Sequence, residues 1–152
     1  MTVDYKRPES VLVVIHTPDL QILLLERAKH PGYWQSVTGS REDGESFLET
    51  AVREVHEETG LSITPEQLHI WPGENVYEIM PEWRHRYAPE ITHNCERVFS
   101  LCLPTICDIA TAPEEHRAWR WLPCDAAAAA CFSASNRDAI LALKTRPLAV
   151  SA

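Results

Sequence analysis

No segment of this 152-residue chain approaches the roughly 20 consecutive apolar residues that cross a bilayer. Its first residues, Met1-Thr2-Val3-Asp4-Tyr5-Lys6, also lack the hydrophobic stretch of a signal peptide. Both absences predict a cytoplasmic protein with no membrane partner. Cysteine is scarce and unpatterned. Cys95, Cys102, Cys107, Cys124 and Cys131 are odd in number and contain no Cys-x-x-Cys, which argues against a disulfide framework and a zinc site and predicts reduced, structural thiols. A basic excess is missing too. The net charge of −8 and a pI near 5.3 would repel a nucleic-acid polymer, and an acidic protein that acts on a polyphosphate needs a cation to bridge the two. There is no internal repeat. Hydrophobic residues at 45% and charged residues at 24% suit one compact core, so a single domain over residues 1–152 is expected.

The apolar run from Ser10 to Ile15, the Pro18-Asp19 turn signal and the run from Gln21 to Leu25 predict a hairpin. Trp34 to Val37 predicts a short strand leading to Gly39. Further strands are expected at Leu68 to Trp71, Val76 to Ile79, Arg97 to Leu103 and Ala118 to Leu122. Strands alternating with a few helices predict an α/β (α+β) protein whose mixed sheet is covered on both faces. Ala126 to Ala130 and Asn136 to Lys144 read as C-terminal helices without chemistry, and Leu148 to Ala152 as a loose tail.

The most informative segment is GSREDGESFLETAVREVHEETGL, residues 39–61. Ser46 and Glu49 form the pattern of a capping box. Leu48, Ala51, Val52 and Val55 then recur as one apolar stripe, and Gly60 is a helix stop. Glu54, Glu57 and Glu58 stand at i, i+3 and i+4, on neighbouring stripes of that helix. Glu54 and Glu58 flank the apolar stripe, which predicts partly hydrated carboxylates at its edge; His56 falls on the exposed side. Acids in a last turn oppose the helix dipole and repel one another, at about 0.3–1 kcal/mol for each effect. A solvated acidic face is the plain explanation for such a group. A bound divalent ion would reverse every one of these penalties, because hard cations such as Mg²⁺ prefer carboxylate oxygens.

The spacing decides between the two. Gly39, five residues, Glu45, seven residues and then Arg-Glu-Val-x-Glu-Glu-x-Gly-Leu resembles the Nudix box at every defined position. The resemblance implies a Nudix hydrolase: an α/β/α sandwich with a mixed sheet, carrying a loop-helix-loop catalytic motif that holds Mg²⁺, with Mn²⁺ able to substitute. Such enzymes cleave nucleoside diphosphates linked to another moiety. Carried over position by position, Glu54, Glu57 and Glu58 are the catalytic acids, with Glu57 a candidate base, and Arg53 and Glu45 tie the helix to the preceding loop. Glu54 and Glu58 are the principal metal ligands, joined by Glu115; from the sequence alone, Glu114 beside it serves as well.

Residues outside the box carry the substrate reading: Tyr5-Lys6-Arg7-Pro8, Trp34-Gln35-Ser36-Val37-Thr38-Gly39, Arg84-His85-Arg86-Tyr87-Ala88-Pro89, Asn94-Cys95-Glu96, Glu115-His116 and Ser135-Asn136-Arg137. They resemble the branch of the family that works in folate biosynthesis. That implies a small-molecule triphosphate partner, 7,8-dihydroneopterin triphosphate, hydrolysed to dihydroneopterin monophosphate and pyrophosphate. It also implies substrate contacts at Lys6, Arg27, Thr38, Tyr77, Glu78, Ile79, Met80 and Ser133. Arg27 could instead pair with an acid of the box, and the Arg84-His85-Arg86 loop suits a structural or steering role. The alternatives are a broad (d)NTP pyrophosphohydrolase acting on substrates such as dATP, and a noncatalytic binding module, which has no physical need for three intact acids.

Overall fold

In a computed structural model, residues 4–146 are described, so the expected tail from Leu148 onward lies outside the described residues. The apolar run near the N-terminus forms β1 (Glu9–His16), which turns into β2 (Gln21–Arg27). Both strands are buried nearly throughout, because their alternate side chains feed two different cores. Leu12, Val14, Ile22 and Leu24 point to one face; Val11, Val13, Ile15, Leu23 and Leu25 point to the other.

The hairpin pairs only at its closed end, His16 with Ile22. Beyond that point the strands part, and β3 (Trp34–Gln35) lies against β2 while β4 (Val37–Ser40) lies against β1. The predicted single strand at 34–37 is therefore two. Ser36 leaves the ladder because its N–H donates to Asn136 Oδ1 and its hydroxyl accepts from Asn136 Nδ2. The other strands are β5 (Leu68–Ile70), β6 (Asn75–Glu78), β7 (His93–Cys102) and β8 (His116–Pro123). β7 runs parallel to β1, while β5 and β6 flank β7 and β8 flanks β2, all antiparallel. The predicted mixed sheet is present, with β6, β7 and β8 displaced from their expected bounds by one to four residues.

Helix α1 (Phe47–Thr59) covers one face over Val37, Phe99 and Leu101. Helices α2 (Cys124–Ala130) and α3 (Ala134–Ala142) cover the other. The result is the expected α/β/α sandwich. None of the helices among the described residues is long and apolar enough to cross a membrane.

The ends of α1 follow the sequence closely. Ser46 Oγ accepts from Glu49 N, the Glu49 carboxylate accepts from Ser46 N, and Gly60 takes φ 77°, where its N–H caps His56 O. Its buried face differs from the expectation. Thr50, Ala51, Glu54, Val55, Glu58 and Thr59 are buried, whereas Leu48 and Val52 are only half-buried. The helix is rolled so that its acids, predicted at the edge, face the sheet.

Candidate active site

The roll brings Glu54 beneath Gly39 on β4. A Cβ built on Gly39 would lie 2.1 Å from Glu54 Cδ, so the absence of a side chain on the strand makes room for the carboxylate. Arg53, next along the helix, turns towards the loop between β4 and α1. Its Nε and Nη2 donate to the two oxygens of Glu45 at 2.6 and 2.9 Å, and Nη2 also donates to Ser40 O at 3.1 Å. Nη1 donates to Glu54 at 2.7 Å and to exposed Glu57 at 3.2 Å. The Arg53–Glu45 tie is thus present. The guanidinium pulls the Glu45 carboxyl down to about 2, and Thr50 and the Glu42 N–H hold the same oxygen.

Glu58, one turn on, is 1% exposed and is hydrogen-bonded to Glu54, with the Thr38 N–H as a further donor. Burial raises the Glu58 carboxyl well above the ordinary range, and the Glu54 and Glu115 charges push the same way. Glu54 is raised as well, chiefly by burial, while Arg53 opposes the rise. Glu58 Oε1 is buried without a hydrogen-bond partner. The neighbouring base is no counter-charge: His116 Nε2 lies 3.7 Å away, but burial and Arg27 hold its imidazole down to about 4, hence neutral. Gln35 Nε2 approaches the same ring nitrogen at 3.3 Å.

Two adjacent buried carboxylates, one with an unsatisfied oxygen, are the donor set that a hard divalent ion requires, and they fit such an ion. Among the described residues, no three Cys, His, Asp or Glu side chains are already gathered as a ready-made metal site. Glu115 sits on an exposed loop whose backbone carbonyl accepts from Ala28 N. It lies close enough to Lys6, Arg27 and Glu58 to bias their ionisation. Glu114 lines the same cleft, but is not among the groups acting on those three.

Opposite the acids stands a cationic wall. Lys6 is anchored through its N–H to Arg86 O, and burial, helped by Arg86 and Arg27, lowers its ammonium to about 8. Arg27 donates to Gln35 Oε1 at 3.3 Å and lies 5.2 Å over the Trp83 ring, while its Nε is buried without a partner. It forms no ion pair with the box among the described residues, and it lines a cleft of about 1210 Å³. Arg86 and His85, at the end of a 3₁₀ turn over Pro81–Arg86, line this cleft too.

The other residues expected to touch substrate all line the cleft. Thr38 donates its hydroxyl to Val11 O. Tyr77 and Glu78 lie on exposed β6, Ile79 is buried just beyond it, and Met80 is exposed. Ser133 caps α3 through Asn136 N. The sequence marked His116 and the buried acid Glu96 only within the segments Glu115-His116 and Asn94-Cys95-Glu96, with no role of their own, and gave no sign of the aromatic group of His30, Tyr33, Trp83 and Phe132. None lies in the box; strand register and the 3₁₀ turn bring His30, Trp83, Glu96, His116 and Phe132 to the cleft, with Tyr33 stacked behind on His30 and Phe132.

Comparison with known proteins agrees with this geometry. The family model described as NUDIX domain matches residues 6–143. The chain is similar to the dihydroneopterin triphosphate diphosphatase of Escherichia coli K12, 46% identical over 90% of this chain and 91% of that one. It is 36% identical to the protein of the same name from Haemophilus influenzae, over 92% and 89%. The solved E. coli dihydroneopterin triphosphate pyrophosphohydrolase superposes with a TM-score of 0.84, at 45% identity, covering 91% of this chain and 95% of that one.

Proposed function

The chain belongs to the Nudix family, and from that premise we propose that it hydrolyses 7,8-dihydroneopterin triphosphate to dihydroneopterin monophosphate and pyrophosphate, with Mg²⁺ held by Glu54, Glu58 and Glu115. The observation that carries the reading is the buried Glu54–Glu58 pair, with its unsatisfied oxygen, set against Lys6 and Arg27 in one cleft. The two relatives named for this activity, alike over nearly the whole chain, supply the substrate. The proposal takes residues 1–152 as one catalytic domain. It places the enzyme in the cytoplasm, where all five cysteines would stay as the free thiols they are.

When bound, the ion neutralises phosphate charge and acidifies water. The rest of the work falls to the side chains. Lys6 and Arg27, both lining the cleft, hold phosphate oxygens, the guanidinium as a planar fork. Arg53 keeps Glu54 and Glu57 turned towards the cleft. Glu57, exposed and within reach of solvent, accepts the proton of the attacking water. His116, buried and neutral, lies 3.7 Å from Glu58 and adds no charge beside it.

The decisive measurement compares kcat/KM for 7,8-dihydroneopterin triphosphate and dATP with Mg²⁺ present. The pterin substrate should win clearly; a tenfold preference for dATP would make the enzyme a (d)NTP pyrophosphohydrolase instead. Glu54→Gln and Glu58→Gln should each lower kcat sharply in a folded protein. Full activity in either would remove that residue from the ligand set.

A further inference from the structure

Glu96 on β7 is 4% exposed, lines the cleft, and has no cationic partner among the described residues. Its neighbour Arg97 points to the other side of the strand and pairs with Glu74 instead. Only neutral groups hold the Glu96 carboxylate. Asn75 Nδ2 donates to Oε1 at 3.2 Å from the register position directly opposite, and the Ser135 hydroxyl is the second donor. Burial accordingly raises its pKa. A carboxylate kept in the interior without a counter-ion costs stability that two neutral donors only partly offset, and such groups gather at functional sites.

The surroundings say what it meets. Ser10 on β1 and Tyr77 on β6 stand beside it, and Asn94 Nδ2 donates to both of their hydroxyl oxygens, at 2.7 and 3.0 Å. The aromatic group around Phe132 closes the cleft from the α3 side. Only β1 separates β7 from β4, and Glu96 projects towards α3 whereas Glu54 packs against Gly39 on the α1 face, so the two carboxylates line different parts of one cleft. Phosphates on the acidic and cationic end would leave a flat, polar-edged ring at the other.

Resting on the pterin reading above, we propose that Glu96 recognises the 2-amino-4-oxopyrimidine edge of the substrate, accepting the ring N–H and the adjacent 2-amino N–H in a bidentate pair. Adenine has no such pair of donors, since its ring nitrogen at the matching position is an acceptor. A site built to accept two N–H groups therefore rejects it strongly.

The test uses the wild-type enzyme first. Inhibition constants are measured for neopterin and for its 2,4-dioxo (lumazine) counterpart with the same side chain, in which a carbonyl replaces the amino donor. Neopterin should bind at least about tenfold more tightly. Equal affinity would overturn the proposal, whether or not any variant folds. In Glu96→Gln the amide N–H₂ faces the substrate's own donors, so the neopterin preference should fall to about one. The ratio of kcat/KM for 7,8-dihydroneopterin triphosphate over dATP should collapse with it, by more than tenfold. Retained discrimination in a folded Glu96→Gln protein would also overturn it. If wild-type enzyme prefers dATP tenfold, the pterin activity itself fails. If it prefers the pterin triphosphate but ignores the 2-amino group, only the role of Glu96 fails.

Discussion

At the scale of single residues, the clearest constraint is a missing atom. Gly39→Ala would drive a methyl group into the Glu54 carboxylate, and a misplacement of about 1 Å at a reacting centre is worth roughly 10²-fold in rate. The variant should therefore lose about that much kcat while its circular dichroism stays that of the wild type; normal turnover would mean that Glu54 does not need its present position. Lys6 makes a different prediction. Burial and the neighbouring Arg86 and Arg27 lower its ammonium to about 8, so the charge proposed to bind phosphate is present below that pH and lost above it. kcat/KM, which reports ionisation in the free enzyme, should carry an alkaline limb with its midpoint near 8, and Lys6→Arg should move that limb to higher pH. A wild-type profile with no alkaline limb would remove Lys6 from phosphate binding. The sequence can supply the identity of such residues but not their surroundings. The three groups that depress the Lys6 ammonium are burial, Arg86 and Arg27, and only the fold brings them together.

At the scale of elements, α1 was legible almost to the residue because its signals are local. The capping box spans four positions, Ser46 to Glu49, and the glycine stop needs only its own φ. Ser46→Ala should cost about 1 kcal/mol, seen as a fall in Tm of about 2–4 °C with little change in kcat. The Arg53–Glu45 tie is equally readable from spacing, and it has a pH signature. Because the folded pKa of Glu45 is depressed to about 2, its contribution is fully present above the usual carboxylate range and is lost as pH falls towards 2. Urea midpoints of Glu45→Gln should be lower than wild type at neutral pH and converge with it in acid; parallel curves would show that the pair adds nothing. What was not legible is the roll of α1. The apolar stripe predicted carboxylates at the edge, yet a helix packed on a glycine-bearing strand turns its acids inward. The break between β3 and β4 was hidden for the same kind of reason, since it depends on Asn136, 100 residues from Ser36.

For the molecule as a whole, the sandwich could be anticipated because both runs of the first hairpin are apolar on both sides, which demands a layer on each face. The cleft could be anticipated only in part. Its acidic end lies within one motif, but its other end is assembled from β1, β6, β7 and α3. The molecule also carries a standing electrostatic cost in the Glu54–Glu58 pair, which a bound ion would remove. Mg²⁺ at a hundredfold excess over its Kd should stabilise the protein by about 2.7 kcal/mol, and chelation should reverse the shift. Glu58→Gln should raise the Tm of the metal-free protein and abolish most of the Mg²⁺ response; an unaltered response would place the ion elsewhere. The Arg53 fork gives this cycle a further property. One edge of the guanidinium, Nε and Nη2, grips Glu45 and Ser40, while the remaining nitrogen serves Glu54 and Glu57 and reaches Glu42 of the loop only at 3.7 Å. An ion held by Glu54 and Glu58 would disturb chiefly that last nitrogen. The grip of Nε and Nη2 on the loop would then outlast each turnover, and a lysine, with one nitrogen for both duties, would let the scaffold slacken each time the site reloads.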